Sequence, residues 1–139
     1  MYGPHLMLDC YGCNKKKLGD LDYIYKFLDA FPALIGMHKI MPPVTTVYES
    51  QMKPEDWGIS GVVLIAESHI SVHTYPEKRY VVVDVFSCKD FDIDEAAIHI
   101  ASAFDAKRYE KSFLWRGREF PKDMAEVGRI VSMQRKRLL

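Results

Sequence analysis

Residues 58–77 predict the central strands of the fold, and they read Gly-Ile-Ser-Gly-Val-Val-Leu-Ile-Ala-Glu-Ser-His-Ile-Ser-Val-His-Thr-Tyr-Pro-Glu. Residues 62–66 form a continuous apolar run, which is typical of a strand buried on both faces. Residues 69–75 alternate between apolar and polar side chains, which is typical of a strand with one buried face. After a turn at Pro76, residues 79–88 are rich in Val and Phe and predict a further strand. These segments therefore predict neighbouring strands joined by a hairpin.

Helices and further strands are predicted on both sides of this stretch. Apolar residues at helical spacing predict one helix from residue 21 to Pro32, with Asp20 as its N-cap, and another over residues 92–106. Additional strands are predicted at residues 5–10, 44–48 and 109–115, a turn-like link at residues 14–19, and a loop at residues 49–57. This order predicts an α+β fold in which an antiparallel sheet carries helices on one face. We expect residues 1–139 to form a single two-layer domain.

Composition excludes several classes of protein. The 139 residues fit one domain, and 19 acidic and 19 basic residues cancel, so the strong positive charge of a nucleic-acid-binding protein is missing. No apolar run approaches the roughly 18 residues that a membrane span needs. Three cysteines and the absence of a secretion signal favour a reducing, cytoplasmic location. The basic tail at residues 135–137 is expected to be solvated.

Polar side chains with possible chemical roles are concentrated in residues 58–77. Ser60, Glu67, Ser68, His73 and Glu77 all lie within or beside strongly apolar strands. A buried polar group without a partner costs about 1–3 kcal/mol, so this concentration requires an explanation. One interpretation is a sheet with one solvated face, and the other is a functional site.

The expected pairing of the strands indicates which of these polar side chains lie close together. A turn centred near residue 77 pairs residues whose numbers sum to 154 or 155, so Ser68 is expected opposite Phe86 or Ser87, with Cys88 close by. His73 follows Ser68 by five residues, which places the two on opposite faces of a regular strand. Contact between them would require a sharp turn or bulge near residues 67–69.

Four segments together resemble a known family. They are Gly58-x-Ser60-Gly61-Val62-Val63, Ala66-Glu67-Ser68-His69, His73-Thr74-Tyr75-Pro76-Glu77 and Asp84-Val85-Phe86-Ser87-Cys88. In this order and spacing they resemble the processing and active site of the prokaryotic S-adenosylmethionine decarboxylases, which are pyruvoyl-dependent enzymes made as proenzymes. The flanking elements agree in order, so the resemblance extends over the whole chain.

The resemblance implies a specific role for several residues. It implies self-cleavage between Glu67 and Ser68, which gives chains 1–67 and 68–139. Ser68 would become a pyruvoyl group that forms a Schiff base with the substrate and acts as an electron sink. Ser60 and His73 would assist processing, and Cys88 would be the proton donor in decarboxylation.

Substrate-binding residues are implied by the same resemblance. Glu77 matches the residue that binds the ribose hydroxyls of the substrate. Tyr75 stands where the family usually has Trp. The aromatic residue expected to stack on adenine aligns nearest Met52, and Trp57 is the other candidate for this role.

The resemblance also implies the cofactor, the partners and the pathway. The cofactor would be the pyruvoyl group from Ser68, with no pyridoxal phosphate and no metal; Cys10-x-x-Cys13 lacks the second ligand pair of a structural zinc site. The expected assembly is a homodimer that packs two sheets into an αββα sandwich. The product, S-adenosylmethioninamine, would donate aminopropyl groups in spermidine synthesis. Two alternatives remain open: a pyruvoyl decarboxylase of arginine or another basic amino acid, and an unprocessed relative without catalytic activity.

Overall fold

A computed structural model of the chain describes residues 2–120 and Met133, so the basic tail at residues 135–137 lies outside the described residues. The described strands are β1 (Gly3–Tyr11), β2 (Val44–Glu49), β3 (Trp57–Ile65), β4 (Ser68–Tyr75), β5 (Tyr80–Ser87) and β6 (Arg108–Arg116). The helices are α1 (Lys15–Leu18), α2 (Leu21–Leu34) and α3 (Ile93–Ala103), and a 3₁₀ turn (Pro76–Lys78) joins β4 to β5.

The strands form one sheet in the order β2-β3-β4-β5-β1-β6, and every neighbouring pair is antiparallel. Helix α2 contacts β2, β3 and β4, whereas α3 contacts β1 and β6. Both helices contribute to a single hydrophobic core with the sheet. The predicted α+β fold, with an antiparallel sheet and helices on one face, is confirmed.

Alternation along the strands separates the two faces of this sheet. On the helix-facing side, Ile70, Val72, Val83 and Val85 are fully or almost fully buried. Burial of each such side chain contributes about 1.5–3 kcal/mol to folding. No described helix covers the opposite side, which we call the open face. Its central residues are His5, Met7 and Asp9 on β1, Ser60, Val62 and Leu64 on β3, His69, Ser71 and His73 on β4, and Val82, Asp84 and Phe86 on β5.

The predicted register of the central hairpin is confirmed, because Ser68 lies opposite Ser87. Strand β3 differs from the prediction, since it begins at Trp57 instead of residue 62. This part of the strand contains two glycines, which interrupt the pattern of side chains by which a strand is recognised in the sequence. A Cβ atom at Gly58 would lie 1.9 Å from the carbonyl oxygen of Thr74, and one at Gly61 would lie 2.6 Å from a methyl group of Leu28. The close packing requires glycine, and glycine breaks the alternating pattern.

Two helical segments also differ from prediction. The link at residues 14–19 contains the one-turn helix α1, whose N-cap is Asn14, with its side chain accepting a hydrogen bond from the Lys17 N–H. Helix α2 continues through Pro32 to Leu34. Pro32 lies in the last turn, so its missing N–H disturbs little of the helix that follows.

Of the sharp turn or bulge considered near residues 67–69, the structure contains the turn and no bulge. The chain reverses through a tight turn at Ala66 and Glu67, and β4 then pairs with β3 without interruption from Ser68 to His73. The change from continuous to alternating apolar residues therefore marks a hairpin turn, which leaves β4 regular.

Candidate active site

The Glu67–Ser68 peptide bond lies where the tight turn enters β4. Glu67 is the second turn residue, and Ser68 is the first residue of the strand. The φ angle of Ser68 is +153°, a conformation that residues with a side chain rarely adopt. Such backbone conformations cost about 1–3 kcal/mol and persist only where the surrounding structure enforces them. Ser68, on the carboxyl side of the bond that the resemblance marks for cleavage, therefore has a strained backbone conformation.

The carbonyl of this bond has a hydrogen-bond donor directed at it. The backbone N–H of Cys88 donates to the carbonyl oxygen of Glu67 at 2.8 Å. Cys88 follows the end of β5, where the Ser87 hydroxyl accepts from the Lys89 N–H and donates to the Lys89 carbonyl. Negative charge would develop on the Glu67 oxygen during attack by a hydroxyl group, and a preorganised N–H stabilises such charge.

The side chain of Glu67 is fixed by the segment that precedes β2. Its carboxylate accepts one hydrogen bond from the backbone N–H of His38 and lies within 2.9 Å of the His38 ring nitrogen Nδ1. Burial acts to raise the pKa of Glu67, but the hydrogen bonds from His38 outweigh it and hold this pKa below its usual value. The Ala66 N–H also donates to the His38 carbonyl oxygen at 2.8 Å. His38 thus holds Glu67, the turn residue on the amino side of the Glu67–Ser68 bond.

The hydroxyl of Ser68 also has a partner, because its Oγ lies 2.8 Å from the hydroxyl oxygen of Tyr2. The Cys88 side chain is half-buried on the neighbouring strand end. The cleavage bond, the Tyr2 hydroxyl and Cys88 therefore form one group, which we call the cleavage cluster (Tyr2, His38, Glu67, Ser68 and Cys88).

Ser60 and His73 form a second, separate pair. They lie directly opposite each other on β3 and β4, and the Ser60 Oγ is 2.9 Å from the His73 ring nitrogen Nδ1. They line a cavity of about 340 Å³ on the open face, together with Tyr48, Asp56, Trp57, Gly58, Thr74 and Tyr75.

Glu77 lies next to this cavity and contacts Trp57, one of its lining residues. The indole N–H of Trp57 donates a hydrogen bond to the Glu77 carboxylate at 3.2 Å. The Lys15 ammonium donates to the other oxygen at 2.7 Å. The hydrogen bond from Lys15, and then that from Trp57, lowers the pKa of Glu77. This carboxylate is therefore ionised and fixed at neutral pH, with further lone pairs free to accept hydrogen bonds. Met52 lies on the loop before β3 and is 92% exposed.

The two groups of residues do not meet within one chain. Ser68 and His73 are five residues apart on a regular strand, which is about 16 Å at 3.3 Å per residue. The structure thus brings Glu67, Ser68 and Cys88 together at one end of β4, and Ser60, His73, Trp57, Tyr75 and Glu77 towards the other end.

Sequence reasoning missed Tyr2, His38 and Tyr48. Tyr2 is 66 residues from its partner Ser68, and His38 is 29 residues from Glu67, so neither contact leaves a local pattern. Tyr48 was detectable in principle, because it pairs with Gly58 across the predicted strand at residues 44–48.

Among residues 2–120, no helix is long and apolar enough to span a membrane. The same part of the chain contains no group of three or more His, Cys, Asp or Glu side chains placed to hold a metal ion.

Known proteins are similar to this chain in both sequence and fold. A family model described as S-adenosylmethionine decarboxylase matches residues 4–117. A proenzyme of that name from Bacillus velezensis is 39% identical over 116 residues, covering 83% of this chain and 86% of its own length. A Pyrococcus abyssi proenzyme of the same name is 40% identical over 119 residues, covering 84% and 80%.

A solved structure agrees with the sequence comparison. The crystal structure of the adenosylmethionine decarboxylase from Aquifex aeolicus is 30% identical, with a TM-score of 0.68, and the match covers 86% of this chain and 93% of that one. The chain belongs to the S-adenosylmethionine decarboxylase family. It is an enzyme of the carboxy-lyase class, and the resemblance inferred from its sequence is confirmed.

Proposed function

We propose that this chain is a proenzyme that cuts itself between Glu67 and Ser68 and then decarboxylates S-adenosylmethionine with the pyruvoyl group so formed. One observation carries the proposal: the backbone of Ser68 is strained, and the carbonyl oxygen of Glu67 already accepts a hydrogen bond from the Cys88 N–H. The proenzyme names of the relatives agree with such a cleavage.

Self-cleavage uses atoms of the chain itself. The Ser68 Oγ attacks the Glu67 carbonyl carbon, the C–N bond breaks, and the proton of the hydroxyl passes to the released amine, which leaves an ester. A base then removes the Ser68 α-proton, and the bond between Cβ and Oγ breaks, so the oxygen leaves as part of the Glu67 carboxylate. Finally, water replaces the nitrogen of residue 68, which is released as ammonia. The products are chains 1–67 and 68–139.

The residues around Ser68 fit a group formed at this position. Residue 68 is half-buried at the start of β4, beside Tyr2 and Cys88. When present, the pyruvoyl group withdraws electrons from the substrate α-carbon and so allows carbon dioxide to leave. The Cys88 thiol would then return a proton to that carbon; the resemblance implies this role for Cys88, whose backbone N–H already contacts the Glu67 carbonyl oxygen beside residue 68.

A homodimer would complete the site. Ser60 and His73 lie too far from Ser68 to assist processing within one chain, so a second copy must supply them if they act there. The open face carries exposed apolar side chains, including Val44 at 54% exposed and Leu64 at 41% exposed. Face-to-face packing of two open faces with the β4 strands antiparallel would bring His73 of one copy near the end of β4 at which Ser68 lies in the other. The same packing would give the αββα sandwich expected from the family.

The cavity beside Ser60 and His73 suits the adenosyl part of the substrate. Tyr48, Trp57 and Tyr75 supply aromatic side chains for the adenine ring, and stacking adds about 0.5–1.5 kcal/mol beyond burial. Glu77 is fixed by Lys15 and Trp57 and can accept hydrogen bonds from the ribose hydroxyls. Met52 is a weaker candidate for adenine because it is 92% exposed and does not line this cavity. The decarboxylated product would serve as the aminopropyl donor for spermidine synthesis.

Carbon dioxide release tests the substrate. Purified, cut enzyme should release carbon dioxide from S-adenosylmethionine and release none from arginine above the rate of a Ser68→Ala control. Release from arginine alone would instead assign the chain to the pyruvoyl decarboxylases of basic amino acids. Release from neither substrate by fully cut enzyme would contradict both assignments.

A further inference from the structure

Tyr2 is the residue in the cleavage cluster that touches the reacting oxygen. Its hydroxyl oxygen lies 2.8 Å from the Ser68 Oγ, well within hydrogen-bond distance, although the two residues are 66 positions apart in the chain. A short contact between residues so far apart in the chain requires that the backbone around Tyr2 be held in place.

The backbone holds Tyr2 through close approaches that only glycine permits. The Tyr2 N–H is 2.9 Å from the carbonyl oxygens of both Arg116 and Gly117. A Cβ atom at Gly117 would lie 2.6 Å from the Tyr2 Cβ. A Cβ atom at Gly3 would lie 1.9 Å from the Ser87 carbonyl oxygen, so Gly3 lets the start of β1 pass directly over the strand end that carries Cys88.

The ring of Tyr2 is also held in place by its neighbours. It packs against Phe86 and Phe120, with ring centroids 5.3 Å away in both cases. The ring is thus wedged between two aromatic side chains, and its hydroxyl points to Ser68. Replacement of Tyr2 by Phe would keep both ring contacts and remove only the hydroxyl.

We propose that Tyr2 is a catalytic residue of self-cleavage, whose hydroxyl donates a hydrogen bond to the Ser68 oxygen as that oxygen leaves. This inference rests on the proposed self-cleavage. During elimination of the ester, the bond between Cβ and Oγ breaks with its electron pair, and the oxygen becomes part of the Glu67 carboxylate. Negative charge therefore grows on the atom that Tyr2 already contacts. A donor at this atom is bound more strongly in the transition state than before it, which accelerates the step.

The Tyr2→Phe variant tests this role because it isolates the elimination step. Freshly refolded proenzyme is followed by intact mass under denaturing conditions, with and without hydroxylamine, which cleaves esters but leaves peptide bonds intact. We expect cutting to be roughly ten- to one hundred-fold slower, as for a lost hydrogen bond to a charged group. We also expect uncut chains that hydroxylamine splits at residue 67, because the ester forms and then waits for elimination.

Tyr25→Phe is the matched control, since it removes a hydroxyl from helix α2, away from the cleavage cluster. It should cut at the wild-type rate. If Tyr2→Phe also cuts at the wild-type rate, Tyr2 has no role in cleavage and the inference is wrong. Slower cutting without a hydroxylamine-sensitive species, in a variant that also unfolds at lower temperature, would make Tyr2 a packing residue and overturn the inference equally. Failure of the wild-type chain to cut at all would refute the proposed function itself, so the two failures are distinguishable.

Discussion

The backbone N–H and the thiol of Cys88 have two separate proposed roles. Its backbone N–H contacts the Glu67 carbonyl oxygen, whereas its thiol is a separate, half-buried group. Cys88→Ala removes the thiol and keeps the N–H, so we expect near-normal self-cleavage. Decarboxylation should fall about 10²–10⁴-fold, the usual contribution of a positioned acid. Gels for cutting and carbon dioxide release for turnover measure the two effects separately. Wild-type turnover in a fully cut variant would show that the thiol is not the proton donor.

His38 and Glu67 give a pH-dependent contribution to stability. The pKa of Glu67 in the folded protein is below its ordinary value near 4.5. A depressed carboxyl pKa stabilises the fold above the unfolded-state pKa, and this contribution is lost as the pH falls through the folded-state pKa. In an uncut Ser68→Ala background, His38→Ala should therefore lower the urea midpoint at pH 7. The difference from the parent should shrink as the pH falls below about 4.5. A difference that stays constant from pH 7 to pH 3 would contradict this assignment.

At the scale of elements, the central hairpin depends on one buried hydroxyl. The Thr74 Oγ1 accepts from the Ile59 N–H at 2.9 Å and donates to the Leu18 carbonyl oxygen at 2.8 Å, which ties β3 and β4 to α1. Thr74→Val keeps the shape of the side chain but leaves both backbone groups unpaired, at a cost of about 1–3 kcal/mol for each buried group.

Urea unfolding of Thr74→Val in the Ser68→Ala background measures this cost. Ser102→Ala is the control, because Ser102 is exposed on helix α3 and its replacement should change stability by less than about 0.5 kcal/mol. Equal stability of the Thr74→Val and Ser102→Ala variants would show that these hydrogen bonds contribute little.

The elements differ in how far the sequence could predict them. The alternation in β4 and the turn at Pro76 were enough to predict the Ser68–Ser87 pairing, because register follows from a period of two and the turn position. The beginning of β3 escaped prediction because Gly58 and Gly61 remove side chains where strands and helices approach closely. The contacts of Tyr2 and His38 escaped because they join segments far apart in the chain, which no local pattern records.

At the scale of the whole molecule, the separation of Ser68 from His73 leads to a mixing test. His73→Ala and Ser68→Ala chains should each remain uncut alone. In mixed dimers, the intact Ser68 of the first chain faces the intact His73 of the second, so the His73→Ala chain should be cut. Denaturation and joint refolding of the two variants, followed by mass analysis, detects this rescue. If jointly refolded chains form mixed dimers yet remain uncut, the proposal that Ser68 of one copy and His73 of the other form one site is wrong.

Self-cleavage between Glu67 and Ser68 underlies the proposed activity, and the mass of the denatured protein measures it. We expect two fragments of about 8 kDa, roughly half of the 16.1 kDa chain each, with the carboxyl-terminal fragment beginning at residue 68 and lacking a free amino group. Ser68→Ala should give a single intact chain, because no hydroxyl is present to attack. An intact 16.1 kDa wild-type chain, or a Ser68→Ala chain that is still cut at this bond, would show that the Ser68 hydroxyl does not cleave the chain.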